Sequence, residues 1–366
     1  MTSGGSAARH AFGAEFPGAV GFLNSPTYGL PPTFLTDELS EHLTQWQAGT
    51  MAPPSFDEHV LRGRTAYAAL TGTQTDSVVM GGSVSALLAL VAAAVPDGSR
   101  VATLAGEFTS TTFPFAAHGG RGVTITELPP EELLATADTY DVVTVSLVQS
   151  ASGAVLDAEA LRSRLAGTEV LSVVDVTQAV GWKRLDLGWA DVTVGAVYKW
   201  LLAPRGTAWM SLSDRVADAM TPLAANWYAG EHPWSTIYGL PLRLAGDARR
   251  FDTSPAWFGA LGSGLTLPWL ASLDAAAVEA HCVGLANRLR AELSLPPAAP
   301  GCESAIVSIP AGVTADAAEL LALAGIRAAL RAGAVRVGFH LYNTDDDLDR
   351  LVDALGVSRR GRAARG

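Results

Sequence analysis

The feature that most constrains this chain is an alternation between residues 75 and 212, where short β-branched runs are separated by stretches of helical spacing. Val78-Val79-Met80, Val101-Ala102-Thr103-Leu104, Val123-Thr124-Ile125-Thr126 and Val142 to Leu147 read as strands. So do Val170 to Asp175, Val192 to Gly195 and Gly206 to Met210. Val84 to Val95 and Asp157 to Leu165 read as helices between them. Strands that alternate with helices need crossover connections, and these build a mainly parallel sheet with helices on its faces. The expected fold class is α/β, with a seven-stranded sheet.

The rest of the chain is arranged around that block. Residues 1–20 read as a loose N-terminal arm. Thr36 to Trp46 and Asp57 to Leu70 have helical spacing, with Pro53-Pro54 as the break between them. Residues 215–255 are loop-like and rich in Trp, Pro and Gly. Gly259 to Leu293 reads as one long, broken helix, and residues 304–355 as strand, helix, strand and final helix. The predicted organisation is an arm (1–20), a large domain (21–255) and a smaller α+β C-terminal domain (256–366). A chain of 366 residues is long enough for that division.

Composition narrows the function. Hydrophobic residues make up 49% and charged residues 17%, which suits a folded, core-rich enzyme. A net charge of −11 favours neither nucleic acid nor an anionic membrane as partner. The four arginines between Arg359 and Arg365 read as a solvated terminus. The only cysteines, Cys282 and Cys302, make neither a disulfide framework nor a zinc site, so a cytoplasmic location is expected. The seven histidines show no metal spacing, and no metal is expected. Met1 to Ala11 has no signal-peptide core, and the longest apolar run, Val84 to Val95, is too short to span a bilayer.

Three features fall at strand ends, where open α/β sheets bind ligands. Gly81-Gly82-Ser83 joins a strand to a helix, and free N–H groups at a helix N-terminus can hold a phosphate. Alone, such a junction is more often a plain turn. Val174-Asp175-Val176-Thr177-Gln178 puts a carboxylate and a carboxamide beside one ligand, although Asp175 alone is as readily a helix cap. Tyr198-Lys199-Trp200 sets a lysine between aromatics. Burial there disfavours the ammonium and frees the amine for Schiff-base chemistry, whereas a solitary lysine is usually a surface residue. Together the three match pyridoxal phosphate, which needs a phosphate cradle, an acid beside its pyridinium nitrogen and a lysine for its aldehyde. In that reading Gln178 donates to the ring hydroxyl and Lys199 becomes the proton carrier.

With these residues in place, the sequence resembles the class V aminotransferase-type, fold type I pyridoxal phosphate enzymes, from about residue 20 to 355. The carriers are the segment Val174 to Gly181, Tyr198-Lys199-Trp200 through Pro204-Arg205-Gly206, and Arg336-Val337-Gly338-Phe339-His340-Leu341-Tyr342-Asn343-Thr344 with three aspartates after it. The resemblance implies that Gly82, Ser83 and Val84 cradle the phosphate, with Tyr198 reaching it. It implies that Phe108 stacks on the ring, that Arg336 clamps the substrate carboxylate and that Asn24 assists. It also implies a homodimer with shared active sites, in which Thr253 or Ser254 reaches the partner's phosphate.

Two departures matter. Cysteine desulfurases, within the same family, carry a nucleophilic cysteine before the C-terminal arginine. Here Gly325 to Arg336 is short and has none. The family's usual stacking histidine is Phe108, which cannot carry protons. His232 and Trp227 lie in an aromatic loop, Asn226 to Trp234, which either faces the cofactor and selects the substrate or is a packed surface loop. The expected activity is α,β-elimination from a cysteine S-conjugate or sulfoxide, breaking a C–S bond to give pyruvate and ammonia. An epimerase or aminotransferase is the alternative, and a cofactor-free binding protein on the same fold is a third.

Overall fold

A computed structural model describes residues 8–310 and 317–356; the arginine-rich tail lies outside them. The strands in chain order are β1 (Arg9–Ala11), β2 (Ala14–Phe16), β3 (Val78–Gly81), β4 (Arg100–Leu104), β5 (Thr124–Leu128) and β6 (Val142–Ser146). They continue with β7 (Leu171–Asp175), β8 (Val192–Ala196), β9 (Ala208–Leu212), β10 (Ile306–Ile309), β11 (Ala329–Arg331) and β12 (Ala334–Gly338). Seven of them form the large sheet, in the order β3-β9-β8-β7-β6-β4-β5. Neighbours from β8 to β5 run parallel, and β9 runs antiparallel to both β3 and β8. The expected α/β class and mainly parallel seven-stranded sheet are thus present.

The pleat sends alternate residues to two apolar clusters. Val78 and Met80 pack in one, Val79 in the other; Val174 and Val173 divide in the same way. Both faces are covered, which is why these strands read as continuous apolar runs. The helices Thr33–Ala48, Phe56–Thr71, Val84–Ala94 and Ala158–Leu165 lie where the spacing predicts. The predicted long helix is two, Trp257–Ser272 and Ala275–Glu292. Asp274 makes the break, its carboxylate accepting from Ala276 N at 2.9 Å as an N-cap. The first of these helices lies against Phe56–Thr71, where Gly63 and Gly264 let the backbones approach: a Cβ on Gly264 would sit 2.6 Å from His59 Cα.

The smaller sheet is antiparallel, in the order β10-β12-β11. Sequence reading finds two of its strands and misses β11, which is only three residues long. Residues 22–24 belong beside this sheet, through bridges Phe22–Arg327 and Asn24–Gly338. Residues 8–20 are not loose either: β1 and β2 form a hairpin with Ala14, Phe16 and Ala19 buried. Arg9 pairs with the buried carboxylate of Asp347, which also accepts from Gly21 N at 2.9 Å.

His340 follows the central strand of the small sheet and is fully buried. Its Nδ1 accepts from Leu341 N at 2.8 Å, so Nε2 carries the proton and donates to Trp200 O at 2.9 Å. Burial pushes the imidazole down to about 3. The folded state therefore stays neutral while the unfolded state binds a proton below its ordinary value near 6.5. Stability contributed by His340 is full above pH 6.5 and is lost as pH falls towards 3, at about 1.4 kcal/mol per pH unit. Urea denaturation across that range should show this slope, and His340→Gln should flatten it; an unchanged slope would count against the assignment.

Candidate active site

The strands that run together bring one set of ends to one side of the large sheet. Gly82, Ser83 and Val84 follow β3, Phe108 comes shortly after β4, and Ser146 ends β6. Asp175 ends β7 and Ala196 ends β8. With Lys199 they line one cavity of about 330 Å³, of a size suited to a small molecule.

Lys199 is placed by the turn between β8 and β9. Gly29 N donates to Tyr198 O at 2.9 Å. A Cβ on Gly29 would fall 2.0 Å from Lys199 O, so only glycine allows that approach. Trp200 is fully buried behind the lysine, and Lys199 itself is 6% exposed. Its Nζ lies 5.3 Å from the Phe108 ring centroid and 5.8 Å from that of Tyr198. Burial drives the ammonium down to about 8; Asp175 opposes this, and Arg336, Arg331 and Arg205 add to it. The amine is therefore available near neutral pH, as the aromatic flanks predict.

Asp175 is buried. Its carboxylate accepts from Thr177 N at 2.7 Å and from Thr111 Oγ1 at 3.3 Å. Burial raises it above the ordinary carboxylate range, against these bonds and Lys199. Such an acid holds a positive nitrogen readily, because the cation restores what burial removes. Gln178 differs from expectation. Its Nε2 already donates to Pro26 O at 2.9 Å and Ser150 Oγ at 3.0 Å, and its Oε1 accepts from Trp200 Nε1 at 2.8 Å. A bond from Gln178 to a ring hydroxyl requires the Ser150 hydroxyl to yield its place.

At the other end of the cavity, Ser83 caps the helix Val84–Ala94, its Oγ accepting from Ala86 N at 3.2 Å. The side chain is engaged, so an anion here meets the backbone N–H groups of the first turn. A Cβ on Gly82 would meet only Gly206 O, at 3.9 Å, so Gly82 leaves the approach open without being sterically required. Phe108 is 45% exposed and lines the cavity. Its backbone N donates to Glu107 Oε1 at 2.7 Å, and Glu107 also accepts from Ser146 N and Oγ.

Arg336 is buried on β12. It donates to Ser150 Oγ at 3.1 Å and Thr27 Oγ1 at 2.9 Å, and its Nε has no partner among the described residues. Burial, with Arg331 nearby, brings the guanidinium down to about 10. Asn24 is a step further out: it lines a neighbouring cavity and accepts from Thr27 Oγ1 at 2.7 Å.

Six predicted residues do not line this cavity: Arg336 and Asn24, which lie beside it, and Trp227, His232, Thr253 and Ser254. Trp227 packs on Trp234 at 4.9 Å between ring centroids, and His232 is exposed. Tyr228 and Trp234 both donate to Asp57, at 3.1 and 2.6 Å, which fixes the loop on the helix Phe56–Thr71. Within one chain, the packed-loop alternative is the one realised. Thr253 N donates to Met80 O at 3.0 Å and Ser254 is exposed; neither lines the cavity. Asp252, just before them, is anchored by Arg64 at 2.5 Å.

Sequence reasoning missed Ser150, Thr27, Thr111 and Arg205. Arg205 lines the cavity with its guanidinium 5.0 Å from the Tyr198 ring centroid. The other three are small hydroxyl residues in loops or a short helix, types that turns use everywhere, so no local pattern marks them. The set suits pyridoxal phosphate: a desolvated amine, a buried acid and a helix N-terminus line one space, and the Arg336 guanidinium meets its edge through Ser150. Lys199, Asp175, Phe108 and the turn Gly82 to Val84 are the residues that could hold it.

The sequence profile of the aminotransferase class-V family matches residues 63–351. A protein described as the uncharacterized aminotransferase YcbU of Bacillus subtilis (strain 168) is 25% identical over 313 residues, 80% of this chain and 82% of that one. Isopenicillin N epimerase of Streptomyces clavuligerus is 29% identical over 238 residues, 57% of this chain and 58% of that one. Among solved structures, apo cysteine desulfurase of Thermococcus onnurineus NA1 superposes with a TM-score of 0.80 at 18% identity, covering 94% of this chain and 96% of that one. The cystine C–S lyase C-DES gives 0.79 at 17% identity, with 93% and 98% covered. The chain belongs to the class-V aminotransferase family and is a pyridoxal phosphate-dependent enzyme of fold type I.

Proposed function

We propose that the protein is a lyase acting on cysteine S-conjugates or their sulfoxides. The observation that carries this reading is a desulfurase-type frame without a desulfurase cysteine. The segment before Arg336 is a tight hairpin, β11–β12, turned by Ala332 and Gly333, both with positive φ. Cys282 is buried in a helix, where burial raises its thiol, and Cys302 lies outside the cavity with its thiol also raised by burial. Neither can take a sulfur atom from a substrate at Lys199. The C–S lyase activity of C-DES, a protein of the same fold, points the same way.

Pyridoxal phosphate, when bound, supplies an electron-accepting ring next to the substrate α-carbon. Asp175 keeps the ring nitrogen protonated. Arg336 holds the α-carboxylate and so orients the α-C–H bond towards Lys199. Lys199, whose neutral form burial makes accessible, takes the α-proton. The electron pair left at the α-carbon forms the α,β double bond as the β-carbon–sulfur bond breaks, and sulfur leaves with its pair. With water, the sum is pyruvate and ammonium together with a thiol from a thioether conjugate or a sulfenic acid from a sulfoxide. Phe108 offers no proton at the ring face, which weighs against a two-base epimerase. The likeness to isopenicillin N epimerase keeps epimerisation as the second reading.

A homodimer with shared active sites completes the proposal. Thr253 and Ser254, outside their own chain's cavity, are then free to serve the partner's phosphate, and the loop Asn226 to Trp234 the partner's substrate. Sedimentation should find a dimer; a monomer with full cofactor content would refute this part.

Two measurements test the chemistry. Cofactor uptake by the apoprotein should slow about tenfold per pH unit below pH 8 and level off above it, following the neutral Lys199 amine. Borohydride should fix the cofactor to the Lys199 peptide, and Lys199→Ala should lose that label. Incubation with S-alkyl cysteines should release pyruvate and thiol in equal amounts. Amino transfer to a keto acid, or racemisation without pyruvate, would rule out the lyase.

A further inference from the structure

Arg331 is a cation the proposed reaction does not use. It ends β11 and is exposed at the mouth of the region around Arg336. Its Nη2 lies 3.5 Å from Thr27 Oγ1, the same oxygen that accepts from Arg336 Nη2 at 2.9 Å. The two guanidinium groups are thus separated by no more than one hydroxyl. That hydroxyl donates its own proton to Asn24, so it is a neutral acceptor and balances neither charge. Among the described residues no carboxylate forms an ion pair with Arg331 or Arg336. In a chain of net charge −11, two adjacent arginines without an acid stand out.

The space beside Arg331 has the same sign. A cavity of about 520 Å³ is lined by Asn24, Tyr28, Arg327 and Arg331 together with apolar residues of β11 and the helix Ala317–Leu323. No acidic residue is among its described lining. The turn at Ala332 and Gly333 has positive φ at both positions, the geometry that matches the twist of a short hairpin. It holds Arg331 on a rigid element. Arg336 is buried towards Lys199 and Arg331 is exposed further out, so the two charges are ordered by depth.

We propose that Arg331 forms a second anion subsite, which selects amino-acid substrates bearing a distal carboxylate in addition to the α-carboxylate held by Arg336. The guanidinium fork suits a carboxylate. A substrate with two carboxylates neutralises both arginines, whereas a monocarboxylate leaves Arg331 unmatched. This rests on the amino-acid reading of the Lys199 site and adds the substrate class. In the lyase reading the distal carboxylate belongs to the S-linked group.

The test uses the cofactor-loaded enzyme and probes that lack an α-proton. L-α-Methylaspartate and L-α-methylglutamate carry a distal carboxylate at two reaches; 2-aminoisobutyrate carries none. Binding is followed by absorbance titration. In the wild type at least one diacid should bind about tenfold more tightly than 2-aminoisobutyrate. Arg331→Gln should erase that preference and leave 2-aminoisobutyrate unchanged. Equal binding of all three in the wild type would overturn the subsite alone. A variant that weakens every probe alike would also overturn it, making Arg331 a second clamp on the α-carboxylate. If no probe binds, the amino-acid reading fails and the subsite with it.

Discussion

The structure turns on the burial of Trp200. Its indole N–H donates to Gln178 and its carbonyl accepts from His340. Its ring lies 5.9 Å from that of Trp182 and 5.1 Å from that of His340. It therefore joins the end of β8 in the large sheet to the segment after β12 in the small one. A Cβ on Gly181 would stand 2.5 Å from its carbonyl oxygen, and one on Gly338 would stand 3.2 Å from its ring. The residue beside it, Lys199, inherits that rigidity. An amine on a four-carbon stem is mobile by nature; here its backbone is held by the close approach of Gly29 to the Lys199 carbonyl and by the buried Trp200 beside it.

The electrostatics follow from this placement. Lys199 sits among Arg336, Arg331 and Arg205, with Asp175 the acid that favours its charge. Desolvation and like charges act together and lower the cost of releasing the lysine's proton. Asp175 is buried too, and its bonds to Thr177 and Thr111 offset only part of the cost of its charge. An electron-accepting cofactor needs both conditions, a neutral amine and an acid that gains from a cation.

Much of this is legible in the sequence. The inner strands of the large sheet are readable because both their faces are buried and their runs are mostly apolar, whereas the exposed edge strand β5 is marked by its β-branched residues. Lys199, Asp175, Phe108 and the turn at Gly82 are readable because strand ends converge by topology. The limits are also physical. β11 is too short to show a period, and the arm's hairpin depends on Asp347, more than three hundred residues away. Gln178 lines the cavity, but its partners, Pro26, Ser150 and Trp200, come from three distant segments that no local pattern links to it. The loop around Trp227 and His232 reads as a site because it is rich in aromatics, yet those rings are satisfied by one another and by Asp57.

The hairpin at Ala332 and Gly333 carries a last consequence. Enzymes that pass sulfur along a relay need a tethered carrier that can swing between donor and acceptor. A tight turn locked between two hydrogen-bonded strands has no such stroke. In the proposed lyase, the departing group would therefore leave as a free solute, and its fate would be set by diffusion and by its own reactivity.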